Sequence, residues 1–284
     1  MRKVGCTFIP LNFEDKNKIE AFMPVEIGLL GGTGNYDPTI VKEPLECKVF
    51  TPFGRPSDNY ILGKIGDRKV AFLARHGKGH QIPPHMINFR ANIWGFKALG
   101  VTRIISPGAC GSLQEDIDVG EFVICDQLFD RTFGQRKDTF YEGGVVGHVG
   151  FAKPYCPELR AVLIETAKKL NLKHRENGTY VCMNGPRFST TAESLFYRNQ
   201  SWQVIGMTAY PECILAREAE ICYAGVSMVT DKDIYGEEAV SIDVVIEVMN
   251  KNVENVRKLI FETIPKIAKD RKCECGHSLD TGIF

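Results

Sequence analysis

Strand-like and helix-like segments alternate from about residue 25 to about residue 270, unbroken by a repeat, a low-complexity tract or a Gly/Ser linker. A strand and an amphipathic helix each need a partner to bury their apolar faces, and this alternation specifies helices laid on a sheet. The expected fold class is α/β, with one domain over residues 25–270, an N-terminal extension of unknown role over 1–24 and a Cys-containing tail over 271–284. Val25 to Leu30 reads as a buried strand that runs into Gly31-Gly32-Thr33-Gly34, a turn only small residues make. Lys69 to Ala74 is a second strand, with Arg75-His76-Gly77 at its carboxyl end, where open α/β sheets place ligands. The apolar spacing of Ile87, Ala91, Trp94 and Ala98 predicts a helix from His85 to Leu99, ended by Gly100. Val101 to Ser106 then reads as a strand entering a second small-residue turn, Gly108-Ala109-Cys110-Gly111-Ser112. Thr190-x-x-Glu193 has capping-box spacing, and Ile205 to Thr208 ends a strand before a helix near Pro211. Val226 to Val229 delivers Thr230-Asp231-Lys232-Asp233 just past a strand end. The apolar stripe Val244, Val245, Val248, Met249, Val256, Leu259, Ile260 and Ile267 gives a long helix a core-facing side.

The 35 Lys and Arg balance 35 Asp and Glu among 284 residues, so no overall positive field draws in nucleic acid or an anionic membrane. No apolar run approaches the roughly 18 residues of a membrane-spanning helix. The basic start is broken by Asn12, Glu14, Asp15 and Lys16, which predicts a cytoplasmic protein. Ten cysteines are many for that compartment, yet only Cys273-Glu-Cys275 forms a close pair and no CxxC zinc pattern occurs. Buried thiols and disulfides are both open readings, and no metal is expected.

The glycine-rich turn fails the dinucleotide fingerprint, because Asp37 stands at the third glycine position, and it lacks the Lys-Ser or Lys-Thr of a phosphate loop. What remains is a small nest suited to phosphate. Arg75 beside His76 can grip such an anion through two parallel hydrogen bonds, or serve as an ion pair. Asp231 and Asp233 in one pocket would raise each other's proton affinity, leaving one protonated and able to donate to a leaving group; as solvated turn acids they would not.

Six blocks, in order and spacing, resemble the 5′-methylthioadenosine phosphorylases of the trimeric purine nucleoside phosphorylase family. They are Gly31-Gly32-Thr33-Gly34, Arg75-His76-Gly77, Gly108 to Ser112, Gly185-Pro186-Arg187-Phe188-Ser189, Gly206-Met207-Thr208 and Thr230-Asp231-Lys232-Asp233. The resemblance implies a single-domain mixed, twisted β-sheet flanked by α-helices and phosphorolysis of 5′-methylthioadenosine to adenine and 5-methylthioribose 1-phosphate. Inorganic phosphate is the co-substrate, and no metal or organic cofactor is implied. By the same resemblance Thr33, Arg75, His76, Thr208 and the backbone of Gly108 and Ala109 hold phosphate, while Met207 packs on the ribose and Phe188 flanks base or sugar. Asp231 would donate to purine N7, Asp233 would receive the 6-amino group, and Lys232 lies between them in the base site. Ser189, Ile242 and Val245 would set specificity, the last two as an apolar wall for a methylthio group. His148 would reach a neighbouring subunit's 5′ pocket, implying a homotrimer with pairing into hexamers left open, and His80 lines the same region.

The chain departs from that pattern at Gly108, where many relatives carry Thr, and at Asn184, Thr191 and Lys232, where Glu, Arg and Tyr are frequent. Base selectivity is the property these changes touch. A phosphorylase preferring 6-oxopurines and a non-catalytic purine- or phosphate-binding protein are the rival readings; nucleoside rates with and without phosphate separate the three.

Overall fold

The computed structural model describes residues 22–32, 41–233 and 242–283; within the last stretch the side chains of Ile242, Val244, Val245 and Lys251 are outside the description. The strands are β1 (Ile27–Gly31), β2 (Lys42–Cys47), β3 (Tyr60–Ile65), β4 (Arg68–Ala74), β5 (Arg103–Ser112), β6 (Phe122–Val123), β7 (Gln127–Arg131), β8 (His174–Arg175), β9 (Thr179–Met183), β10 (Val204–Gly206) and β11 (Cys222–Lys232). The helices are α1 (Phe89–Ala98), α2 (Pro157–Lys169), α3 (Thr191–Asn199), α4 (Ala209–Glu218) and α5 (Ile242–Thr263). One mixed sheet runs β2-β3-β4-β1-β5-β10-β9-β7, and β11 joins it through β5 and carries β6 and β8.

β1 is buried at all five positions, as a parallel strand covered on both faces must be. On one face the core gathers Ile93, Phe96 and Leu99 from α1 and its end with Leu215 and Ala216 from α4. On the other it gathers Leu159 and Leu163 from α2 with Met249, Val256, Leu259 and Ile260 from α5. The apolar stripe of the long helix is therefore core where it is described, and Ile267 joins the same cluster from beyond the helix end.

Two boundaries differ from expectation. The α1 helix begins at Phe89, because Asn88 caps it by accepting from the Ala91 N–H, and a separate 3₁₀ turn occupies Pro84–Met86. Gly108 to Ser112 is not a turn but the second half of β5. Its small residues read as turn formers from sequence, yet β11 pairs with them in register from Ser227↔Gly108 to Lys232↔Ser112.

That long strand creates the crevice. β1 pairs with β5 only as far as Ile105, and β10 takes over the same edge at Gly111 and Ser112. Between them neither strand pairs with Ser106 to Cys110, and the backbone of Gly108 and Ala109 opens onto a cavity. A change of neighbour partway along a strand is the sheet geometry that leaves room for a ligand.

Candidate active site

The cavity measures about 350 Å³. One end is lined by Gly32, Arg75, His76, Gly108, Ala109 and Thr208, the other by Phe188, Ser189, Met207, Asp231 and Asp233. All six expected blocks thus reach the cavity, the first through Gly32 after β1 and the others from the ends of β4, β5, β10 and β11 and the loop before α3. Thr33 lies outside the described residues, as do the side chains of Ile242 and Val245.

Arg75 is 1% exposed and is the largest fully buried side chain described. Its Nε and Nη2 meet Glu212 Oε1 and Oε2 at 2.5 and 3.1 Å. Nη2 also donates to Ser106 Oγ and to the Leu30 carbonyl, the latter at 3.3 Å. Ser106 Oγ and Tyr223 OH in turn donate to Glu212 Oε2 at 2.9 and 2.7 Å. The edge of the guanidinium that would make a forked grip on phosphate is therefore committed to Glu212. Nη1, whose only acceptor among the described residues is the Pro107 carbonyl at a long 3.4 Å, remains for an anion. A Cβ on Gly32 would stand 2.7 Å from this Nη1, so glycine is required for Arg75 to lie against the β1 end.

His76 is buried, and its Nδ1 lies 2.8 Å from the Ile82 carbonyl. A carbonyl only accepts, so Nδ1 carries the proton and Nε2 of the neutral ring is an acceptor. Burial first, then the charge of Arg75, pushes the His76 pKa down to about 3, so the ring is neutral at physiological pH. A neutral Nε2 can accept from the P–OH of hydrogen phosphate, which an imidazolium cannot. His80 stacks on this ring at 4.1 Å, its proton affinity lowered likewise by burial and Arg75. The anion end therefore combines one buried, already paired cation with neutral polar groups.

At the other end a bulge in β11 leaves Thr230 without a register partner, and Asp231 rather than Thr230 faces Gly111. Asp231 thus sits inside the last residues of β11 and Asp233 directly after them. The Thr230 hydroxyl donates to Asp231 Oδ1 at 2.8 Å. Asp233 accepts from Ser189 Oγ at 2.9 Å and from Ser194 Oγ, and its own N–H donates to the Ser112 carbonyl at 3.0 Å. Both carboxyls have raised proton affinity, chiefly through burial; the charge of Asp233 adds to the effect on Asp231. Among the described residues Asp231 has one hydroxyl donor and Asp233 two, so Asp231 is the carboxyl less committed to its charged form.

The small residues of β5 give these acids their room. A Cβ on Gly111 would lie 2.8 Å from Asp231 Oδ2 and 3.3 Å from Asp233 Cβ. Gly111→Ala is expected to fold with a near-unchanged melting temperature, since the clash falls on a side-chain tip. Its kcat/KM is expected to fall about 10²-fold, the cost of moving a reacting group by roughly 1 Å. Steady-state kinetics beside a thermal melt check this.

Lys232 does not join the site. Its ammonium reaches the Glu115 carbonyl at 2.6 Å and Asp118 Oδ1 at 3.2 Å, on the opposite side of β11 from its acidic neighbours. Strand alternation puts it there, so its placement in the base site is corrected. Ser189, expected to set specificity, lines the cavity and also holds Asp233. His148 is exposed and outside the cavity lining, with its backbone N–H bound to the Gly282 carbonyl at 2.7 Å.

Three participants were not visible in the sequence. Glu212 holds Arg75 across 137 residues of chain. Ser194 holds Asp233, and its signal was the Thr190/Glu193 capping box, which forms and fixes the first turn of α3. Arg136, on an irregular loop, donates to the carbonyls of Met183, Asn184, Met207 and Tyr210 and to Asn184 Oδ1. It thereby fixes Met207 and the segment leading to Phe188, and Asn184 is a partner of this arginine.

A family model described as the phosphorylase superfamily matches residues 26–265, and the chain belongs to that family. It is similar to S-methyl-5′-thioadenosine phosphorylase of Nitrosopumilus maritimus, 51% identical over 92% of this chain and 98% of that one. It is likewise similar to the enzyme of that name from Pyrococcus horikoshii, 51% identical over 90% and 98%. Among solved structures, methylthioadenosine phosphorylase from Schistosoma mansoni in complex with adenine superposes with a TM-score of 0.85 at 38% identity, covering 90% of this chain and 96% of that one. A methylthioadenosine phosphorylase sourced from an antarctic soil metagenomic library gives a TM-score of 0.86 at 40% identity, covering 92% of each chain.

Proposed function

We infer that the protein catalyses phosphorolysis of 5′-methylthioadenosine, releasing adenine and 5-methylthioribose 1-phosphate. The observation that carries this reading is a single cavity with an anion end at Arg75, His76 and Thr208 and a buried carboxyl of raised proton affinity, Asp231, at its other end. As the C1′–N9 bond breaks, its electron pair goes to the purine and the sugar acquires positive charge. Phosphate held by Arg75 Nη1, Thr208 and the backbone at Gly108 and Ala109 faces that charge and forms the new C1′–O bond. The proton of Asp231 goes to, or is shared with, N7, which makes the base a better leaving group. Asp233 accepts from the 6-amino group, Met207 packs on the ribose and Phe188 covers the ligand. The reaction needs inorganic phosphate as co-substrate and no metal or organic cofactor.

The same reading assigns the protein to purine and methionine salvage in the cytoplasm, as a homotrimer in which the exposed His148 serves a neighbouring subunit. Base release from methylthioadenosine, adenosine, inosine and guanosine, each with and without phosphate, tests it. Adenine is expected fastest from methylthioadenosine and only with phosphate. Faster release from inosine or guanosine would reassign the base site to 6-oxopurines, and ligand binding without cleavage would reduce the protein to a binding module.

A further inference from the structure

Four of the nine described cysteines converge far from the cavity, although the sequence holds no CxxC pair. Cys156 precedes α2, Cys222 opens β11, and Cys273 and Cys275 belong to the C-terminal tail. All four sulfurs lie within 4.8 Å of one another, with Cys273 Sγ 3.7 Å from Cys156 Sγ and 3.4 Å from Cys222 Sγ. Four thiolates at about 2.3 Å from a tetrahedral zinc ion sit about 3.8 Å apart. Cys156, Cys222 and Cys275 are buried and Cys273 is partly covered, which is the closed surrounding of a structural site rather than a catalytic one.

We propose that Cys156, Cys222, Cys273 and Cys275 bind one tetrahedral, thiolate-seeking divalent cation, zinc by preference, that fastens the C-terminal tail to α2 and β11. Binding transfers four thiol protons to water and leaves a tetrathiolate site of net charge −2. The tail is already positioned for ligation, since Arg271 donates to the Glu220 carbonyl at 2.6 Å and Ser278 Oγ to the Arg217 carbonyl at 2.6 Å. The spacing missed this set because three separate segments supply it.

The test is metal analysis of the full-length, untagged protein, paired with a count of free thiols after denaturation with and without reductant. About one zinc per chain is expected, as the site's chemistry dictates, with the Cys273→Ser/Cys275→Ser variant losing it and Cys47→Ser keeping it. Iron in place of zinc would keep the tetrathiolate site and change only its occupant. Should the double variant fail to fold, anaerobic addition of cobalt(II) to the reduced, metal-stripped wild type gives a second readout: the absorption of a tetrathiolate cobalt centre, at one equivalent, supports the site. Thiols that appear only after reduction, in metal-free protein, would mean disulfides and overturn the proposal. Four free thiols that take up no cobalt would overturn it equally.

Discussion

Asp231→Asn is expected to lower kcat/KM for methylthioadenosine by roughly 10²–10⁴-fold, the usual contribution of a positioned general acid, with phosphate affinity unchanged. The amide keeps the shape of the carboxyl and its contact with the Thr230 hydroxyl, but has no acidic proton to give. Asp231 is raised from its ordinary value chiefly by burial, then opposed by Thr230 and assisted by Asp233. A raised acid is active below its folded pKa and loses its proton as pH climbs through it, so wild-type kcat/KM should decline on the alkaline side and the variant should lack that limb. Wild-type stability falls with rising pH in the same direction as activity. A carboxyl whose pKa is higher folded than unfolded binds more protons in the native state, so stability is lost between the ordinary carboxyl value and the raised one, and stays lost at neutral pH. Asn escapes that cost. The variant should therefore melt no lower than the wild type at pH 7, and the advantage should vanish below the ordinary carboxyl range. A pH–rate profile and paired melts at acidic and neutral pH read both effects; wild-type turnover of adenine nucleosides by Asp231→Asn would remove the carboxyl from the mechanism.

What could be read from sequence divides by the range of the interactions involved. The ends of β4 and β11, with Arg75-His76 and the two acids, were legible because a buried strand that stops at charged residues has few places to put them. The stretch Gly108 to Ser112 misled, since small residues make turns and also make the floor of a groove, and only the pairing with β11 decides between them. Lys232 misled for a related reason: read as lying past the strand end, it has no fixed face, but β11 runs on through Lys232 and alternation turns its side chain away from the two acids. Glu212, Arg136 and the fourfold cysteine cluster are partnerships between segments dozens of residues apart, and no window along the chain contains both halves of any of them.

Glu212→Ala should be the most destabilising change near the cavity, by about 3–5 kcal/mol, the cost of leaving one charge of a buried pair uncompensated. Arg75 would keep its charge because Ser106 Oγ and the Pro107 and Leu30 carbonyls still accept from it, while its counter-charge is gone. The pair in the wild type solves a problem specific to a protein that must wait for phosphate: a cation buried to 1% exposure needs an anion even when the substrate anion is absent. Glu212 supplies it permanently, from behind, and leaves Nη1 for the cavity. Two comparisons separate these roles. Replacing both partners, Arg75→Met with Glu212→Leu, should cost less stability than Glu212→Ala alone, since an apolar pair has no orphaned charge, yet should abolish phosphorolysis. Phosphate should also raise the melting temperature of Glu212→Ala by more than it raises that of the wild type, because the ligand then supplies the missing counter-charge as well as filling its site. Equal phosphate shifts in the two proteins would show that Arg75 does not reach the bound anion, and the anion end would then rest on Thr208, His76 and the open backbone of β5.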